Sequence, residues 1–216
     1  ANSLRLALSG QLGAEALVSD AMAETMKLCV SCKACKRECP TGVDMSRMKI
    51  EVTALQTEAK GLSIHDRLIA FLPKYAPYMT MFASLLSLRD QIPGVAWLSE
   101  QFTGFSARRP LPRWHGNKFR NYELPDEPFL QKNSIEKRAV LLFIDTFNRY
   151  FEPENLRAAV RVLEAAGYEV FSPNPTKKID RPLCCGRTFL STGLVDHARS
   201  EASRLISTMA PFAKSG

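Results

Sequence analysis

The 216-residue chain has only three histidines and six cysteines, and its scarcities exclude several classes of protein. The cysteines are grouped rather than scattered, and no signal peptide precedes them. That pattern argues against a secreted disulfide scaffold and for a reducing, cytoplasmic setting. No run approaches the roughly 20 apolar residues that a membrane span requires. The most apolar stretch, FLPKYAPYMTMFASLLSL (71–88), is interrupted by Pro73, Lys74 and Pro77. It predicts a pair of packed helices, with peripheral contact on the inner face of a membrane, or with a partner, as the minor reading. The net charge of +7 is spread along the chain without an aromatic-basic signature, so nucleic acid is not an expected partner. A glycine-rich phosphate loop is also missing. The chain opens on ANSLRLALSG, already patterned as a helix, and closes on MAPFAKSG just after another, so both ends are expected to be cuts in a longer protein.

What is present reads first as helix. Leu4 and Leu8 share one face of a segment over 3–9, and a second helical region covers 14–28 with Ser19 or Asp20 as its cap. Asp44 is placed to cap a helix whose Met45, Met48, Val52, Leu55 and Ala59 recur at steps of three and four, and Gly61 ends it. Ser63 and Asp66 form a capping-box pattern before IHDRLIAFL. From 101 to 137 the periodicity dissolves into a basic, proline-rich linker or strap in which Arg108, Arg109, Arg113, Lys118 and Arg120 are expected to be solvated. AVLLFID (139–145) then reads as a strand buried on both faces. A helix starting at Pro153 and stopping at Gly167 leads to a second strand, YEVFSP, which makes a βαβ unit with parallel strands. One or two helices follow. The fold class expected is mixed α+β: a helical domain over 1–100, the linker over 101–137, and a partial α/β module over 138–216.

The chemistry concentrates in CVSCKACKRECP. Cys29, Cys32, Cys35 and Cys39, followed by Pro40, match C-x2-C-x2-C-x3-C-P, the ferredoxin spacing in which thiolates hold a [4Fe-4S] cluster. Two-residue gaps let a tight loop turn three sulfurs toward one point, while Pro40 pushes Cys39 out of helical geometry. Lys33, Lys36, Arg37 and the loop N–H groups offset the negative charge of such a cluster. Zinc sites more commonly use two separated ligand pairs, and disulfides would be strained at this spacing. A structural zinc would make the chain a non-catalytic interaction module. In two-cluster ferredoxins the fourth cysteine serves the other cluster. Cys39 therefore either closes a single cluster or belongs to a second one completed by residues outside this chain.

Three stretches, LCVSCKACKRECPTGVDMSRMKIEV, IDTFNRYFEPENLRAAVRVLEAAGYEV and PLCCGRTFLSTGLVDHAR, together resemble the C-terminal iron-sulfur region of FAD-linked oxidases related to D-lactate dehydrogenase and glycolate oxidase. The resemblance covers essentially the whole chain. It implies a helical ferredoxin domain followed by a CCG module. It also implies an upstream domain in which FAD oxidises a D-2-hydroxy acid, and clusters that carry electrons singly to a quinone or another acceptor. No residues of this chain are assigned to FAD, so substrate oxidation is not expected to occur on them.

Cys184, Cys185 and Gly186 resemble the CCG motif of the glycolate oxidase iron-sulfur subunit and of heterodisulfide reductase. The latter offers a rival role, electron transfer to a dithiol or disulfide. Gly186 would let the backbone turn directly into the next helix, whose start favours a thiolate. The fuller motif has a cysteine where this chain reads IDTFNRY, and a further CxxC is missing. Redox-active thiols, a vicinal disulfide, iron ligation aided by other residues, or two cysteines acting as small hydrophobes all remain open. His65, His115 and His197 read as surface or capping residues. Asp145, at the end of the first strand, reads either as a contact for the cysteine pair or as a cap.

Overall fold

The computed structural model describes residues 1–124, 138–173 and 182–215. The end of the expected linker, 125–137, lies outside the described residues. Along the chain the helices are α1 (Asn2–Leu8), α2 (Asp20–Lys27), α3 (Ala34–Glu38), α4 (Met45–Lys60), α5 (Ile64–Ala70), α6 (Leu72–Met79), α7 (Ala83–Ser87) and α8 (Val95–Thr103). Strand β1 (Arg138–Leu141), helices α9 (Thr146–Tyr150) and α10 (Pro153–Ala165), strand β2 (Tyr168–Phe171), and helices α11 (Arg187–Ser191) and α12 (Val195–Ser215) follow. The fold is mixed α+β, mostly helical with one small parallel sheet. Two compact units form, one from 1–70 with 187–198 and the other from 71–186 with 199–216.

In the first unit, Leu4, Ala7, Ala16, Met22, Met26 and Val52 are buried together, with Leu17 and Met45 packed against them. The caps are the ones the sequence predicts. The Ser19 side chain accepts from Met22 N, Asp44 accepts from Arg47 N at 3.0 Å, and Gly61 ends α4 at φ 76°. The apolar stripe on α4 differs from the periodic reading. Met48 and Leu55 are exposed, and Ala59 is exposed too. Instead, Met45, Lys49, Val52 and Gln56 share the covered face. Lys49 Nζ donates to the Cys29 carbonyl at 2.6 Å, and the Gln56 amide donates to the Leu17 carbonyl. Met45 and Val52 pack with the buried residues of α1 and α2, and the long polar side chains of Lys49 and Gln56 complete this face because the Cys29 and Leu17 carbonyls lie within their reach.

In the second unit, β1 and β2 pair in parallel from Arg138 opposite Tyr168 to Leu141 opposite Phe171, and Leu142 N extends the ladder to the Phe171 carbonyl at 2.7 Å. The expectation of a strand covered on both faces is corrected: Arg138 and Ala139 are exposed and Val140 and Leu141 only half-buried, since a two-stranded sheet has little to cover it. Helix α10 is the crossover. Pro153 occupies its first turn, and Gly167, at φ 83°, follows its end. Residues 104–124 form a strap that inserts Phe119 and Leu124 into a core with Ile144, Leu156 and Val170. Trp114 packs against Phe151 with ring centroids 4.4 Å apart and the rings tilted by 51°.

The expectation that Lys118 is solvated is also corrected. Its Nζ donates to the Pro77 carbonyl at 3.3 Å and to Thr80 Oγ1 at 3.1 Å, and it sits 5.7 Å from the centre of the Tyr150 ring. The ammonium thereby occupies the C-terminal end of α6, where the helix dipole favours a cation. Burial first, then Arg120 and Arg149, hold its pKa below the ordinary lysine value.

Candidate functional site

The four clustered cysteines occupy the loop between α2 and α4. Cys29 follows the last turn of α2, its N–H donating to the Met26 carbonyl at 3.1 Å. Ser31 and Lys33 then adopt left-handed backbone, φ 57° and φ 62°. That conformation costs a residue with a Cβ about 1–2 kcal/mol. Two such residues on either side of Cys32 mark a loop whose shape is held against local preference, a feature concentrated at functional sites. Cys32 is exposed, while Cys29, Cys35 and Cys39 are half-buried. Lys33 opens the short helix α3, which carries Cys35. Cys39 ends it in extended backbone, φ −78° and ψ 123°, the conformation that Pro40 imposes on the residue before it.

Backbone and hydroxyl donors converge on two of the sulfurs. Met45 N, in the first turn of α4, donates to Cys35 Sγ at 3.3 Å. Thr41 Oγ1 lies 3.1 Å from Cys39 Sγ. The Thr41 hydroxyl, followed by the N–H groups of Val43, Thr41 and Gly42, holds the Cys39 thiol below the ordinary cysteine pKa. N–H donors directed at sulfur are the surroundings that stabilise thiolate ligands. Lys36 faces Asp44 at 3.9 Å. Leu28 and Val30, flanking Cys29, are almost wholly exposed. Among the described residues, however, no three His, Cys, Asp or Glu side chains come together as a metal site. The loop carries the right donor set and the right supporting N–H groups, while its four sulfurs do not meet at one point.

The adjacent pair lies in the second unit. Cys184 is buried and Cys185 exposed. Gly186, at φ 79°, brings its N–H to 3.4 Å from Cys184 Sγ, and α11 begins at the next residue, the direct turn into a helix that the sequence predicts. The sequence reading has the helix start after Gly186 favouring a thiolate; at Cys184 the balance runs the other way. The Cys185 side chain and then burial push the Cys184 thiol up, against the lowering effects of Gly186 N–H and the Thr146 hydroxyl. A five-residue helix offers too little dipole to reverse desolvation. Thr146 is buried and escaped the sequence reading; it opens α9 immediately after Asp145, which lies four residues beyond the end of β1 and not on the strand as the sequence predicts. Asp145 itself is a cap, accepting from Phe147 N and Asn148 N at the start of α9.

The histidines take structural places. His65 Nδ1 lies 3.3 Å from Asp66 Oδ1, His115 N donates to the Tyr150 carbonyl at 3.1 Å, and the His197 ring packs on Phe189 with centroids 5.3 Å apart. Among the described residues no helix is long and apolar enough to cross a membrane.

Comparison with known proteins places these features in context. The chain is similar to D-2-hydroxyglutarate dehydrogenase from Escherichia coli K12, at 28% identity over 70% of the chain and 16% of that protein. It is similar also to D-2-hydroxyglutarate dehydrogenase from Pantoea ananatis, at 24% identity over 70% of the chain and 16% of the relative. The chain thus spans about a sixth of the length of these relatives. No family model matches it, and no solved structure matches it.

Proposed function

We propose that this chain is the iron-sulfur electron-transfer portion of an FAD-dependent D-2-hydroxy-acid oxidoreductase, passing electrons from an upstream flavin domain to a quinone or another acceptor. The observation that carries the reading is the joining of two independent facts. One is a four-thiol loop with ferredoxin spacing. The other is similarity over most of the chain to a small part of much larger proteins named as dehydrogenases of a D-2-hydroxy acid.

In this reading Cys29, Cys32, Cys35 and Cys39 are the ligands of a [4Fe-4S] cluster. When bound, that group supplies a one-electron acceptor and donor, which a two-electron flavin needs if its electrons are to leave singly. The chain's own residues do the remaining work. Met45 N–H holds Cys35 in place, while Thr41 and the N–H groups of 41–43 hold Cys39 and favour its thiolate form. Lys33, Lys36 and Arg37 offset negative charge on the loop, which raises the reduction potential of whatever the thiolates bind. Leu28 and Val30 give the loop an apolar shoulder suited to contact with a donor domain. Cys184 and Cys185 are redox-active thiols in the same scheme, either as a dithiol or as further iron ligands completed from elsewhere.

The test is iron and acid-labile sulfide analysis of the anaerobically purified protein, alone and with Cys32→Ser. The reading requires roughly equal iron and sulfide in the wild type and their loss in the variant. Stoichiometric zinc with no sulfide would replace it with a structural metal site.

A further inference from the structure

The most apolar stretch of the chain folds with its bulk outward. Helices α6 and α7 run on from one another through a short turn at Thr80–Phe82, and a second such turn, Leu88–Asp90, follows. The face they bury carries compact residues, Pro73, Ala76, Thr80 and Ala83, of which Ala76 packs against Tyr150 and Phe151. The bulky residues Tyr78, Met81, Phe82, Leu85 and Leu88 are exposed, Met81 to 79%. Tyr78, Met81, Leu85 and Leu88 recur at steps of three and four, so they share one helical face. An amphipathic helix of a globular domain turns its large apolar side chains to the core; here the order is reversed, and the core side is filled without them. Helix α8 repeats the pattern. None of its residues is buried, while Trp97 and Phe102 are 61% and 70% exposed.

These elements are tied into one block. Arg89, buried just after α7, donates to Ser99 Oγ on α8 at 3.2 Å and to the Phe105 and Ser106 carbonyls at 3.1 and 3.0 Å. Asp90 accepts from Leu111 N at 3.0 Å, which brings the start of the strap to the same place. The charge on the block is one-sided. Lys74, Arg108, Arg109 and Arg113 are exposed. The two acidic residues between 71 and 113 are engaged within the block, Asp90 with Arg89 and Leu111 N and Glu100 with Ala107 N at 3.1 Å.

We infer that this block is an interfacial anchor for an anionic bilayer, with Met81, Leu85, Trp97 and Phe102 set among the upper acyl chains and Arg108, Arg109 and Arg113 at the phosphate headgroups. Aromatic and aliphatic side chains rimmed by cations match a surface that is apolar below and negative above. The helices, eight, five and nine residues long, lie along such a surface, since crossing it takes about 20 residues. The anchor does not depend on the four-cysteine loop or on the electron-transfer reading.

Flotation of the intact protein with vesicles tests the anchor, using phosphatidylcholine alone and phosphatidylcholine with about one third phosphatidylglycerol. The protein should partition at least tenfold more strongly onto the anionic vesicles, and less so as salt is raised. Leu85→Glu and Trp97→Glu alter exposed positions, so circular dichroism should stay unchanged while each lowers partitioning at least tenfold. Arg108→Glu combined with Arg109→Glu should remove the preference for anionic vesicles. Ile206→Glu, at an exposed apolar position on α12, should change nothing. No flotation with anionic vesicles, undiminished flotation in Leu85→Glu and Trp97→Glu, or an equal loss in Ile206→Glu would overturn the assignment. A dimer in sedimentation that Leu85→Glu dissociates, with no vesicle binding, would overturn it in favour of a second copy of the chain.

Discussion

The backbone N–H of Met45 donates to the sulfur of Cys35 at 3.3 Å, and one residue earlier Asp44 accepts from Arg47 N at 3.0 Å. The cap of α4 and the hold on a thiol therefore belong to the same turn. Asp44→Ala should cost about 1 kcal/mol, the usual worth of an N-cap, seen as a fall of a few degrees in Tm. It should also speed alkylation of Cys35 as Met45 N loses its fixed position. An unchanged Tm with unchanged Cys35 labelling would show that the turn is held by something else.

Gly193 tests the packing of the first unit. At φ 82° it lies so close to α4 that an added Cβ would meet the Thr53 carbonyl oxygen at 2.6 Å and Thr57 Oγ1 at 2.8 Å. Thr57 Oγ1 already donates to the Thr192 carbonyl next to it, at 2.9 Å. Gly193→Ala combines a left-handed backbone with a clash against backbone atoms, and should destabilise by about 3 kcal/mol in chemical denaturation. A loss under about 1 kcal/mol would mean that α4 yields to it.

A pH dependence follows from Glu123. The Arg157 guanidinium, bonded to it, holds its carboxyl below the ordinary glutamate value. A group whose pKa is depressed by folding contributes stability above its unfolded pKa and loses it as pH falls through the folded one. Glu123→Gln should therefore cost about 1 kcal/mol at pH 7. The gap between wild type and variant should close progressively below about pH 4.3, the unperturbed glutamate value. Denaturation curves for both proteins between pH 7 and pH 3 measure it, and a gap that persists at pH 3 would remove the ion pair as its source.

Much of the fold was legible because its signals are local. Asp44, Gly61, Pro153 and Gly167 act within one turn of themselves, and each ends or starts a helix where its chemistry predicts. The motif CVSCKACKRECP likewise announces a thiol loop, and Pro40 announces the extended Cys39. What stayed hidden depends on distant chain. Nothing in the sequence around Lys118 says that the end of α6 will receive it, and Arg149, in IDTFNRYFE, looks like any solvated helical arginine until the strap brings Phe119 against it. Met48 and Leu55 follow the apolar period of α4 yet face outward, because Lys49 and Gln56 find carbonyl partners on the other side. Thr146 matters only once Cys184 is folded beside it.

The cysteine pair should react unequally. Cys185 is exposed, whereas Cys184 is buried and kept protonated by its neighbour and by desolvation. With iodoacetamide at pH 7.5, mass spectrometry of the native protein should find Cys185 labelled at least tenfold faster than Cys184, since the thiolate is the nucleophile and access limits it. Thr146→Val removes a hydroxyl that favours the Cys184 thiolate and should slow Cys184 further. Equal rates at the two positions would show that the chain around Cys184 opens readily.

The central claim is that the loop from Cys29 to Cys39 binds an iron-sulfur cluster serving a flavin-dependent 2-hydroxy-acid oxidoreductase. Electron paramagnetic resonance on the native protein, purified without oxygen and reduced with dithionite, tests it most directly. The account predicts the low-temperature signal of a reduced [4Fe-4S] centre that disappears in Cys35→Ser. A silent spectrum from iron-free protein would contradict it.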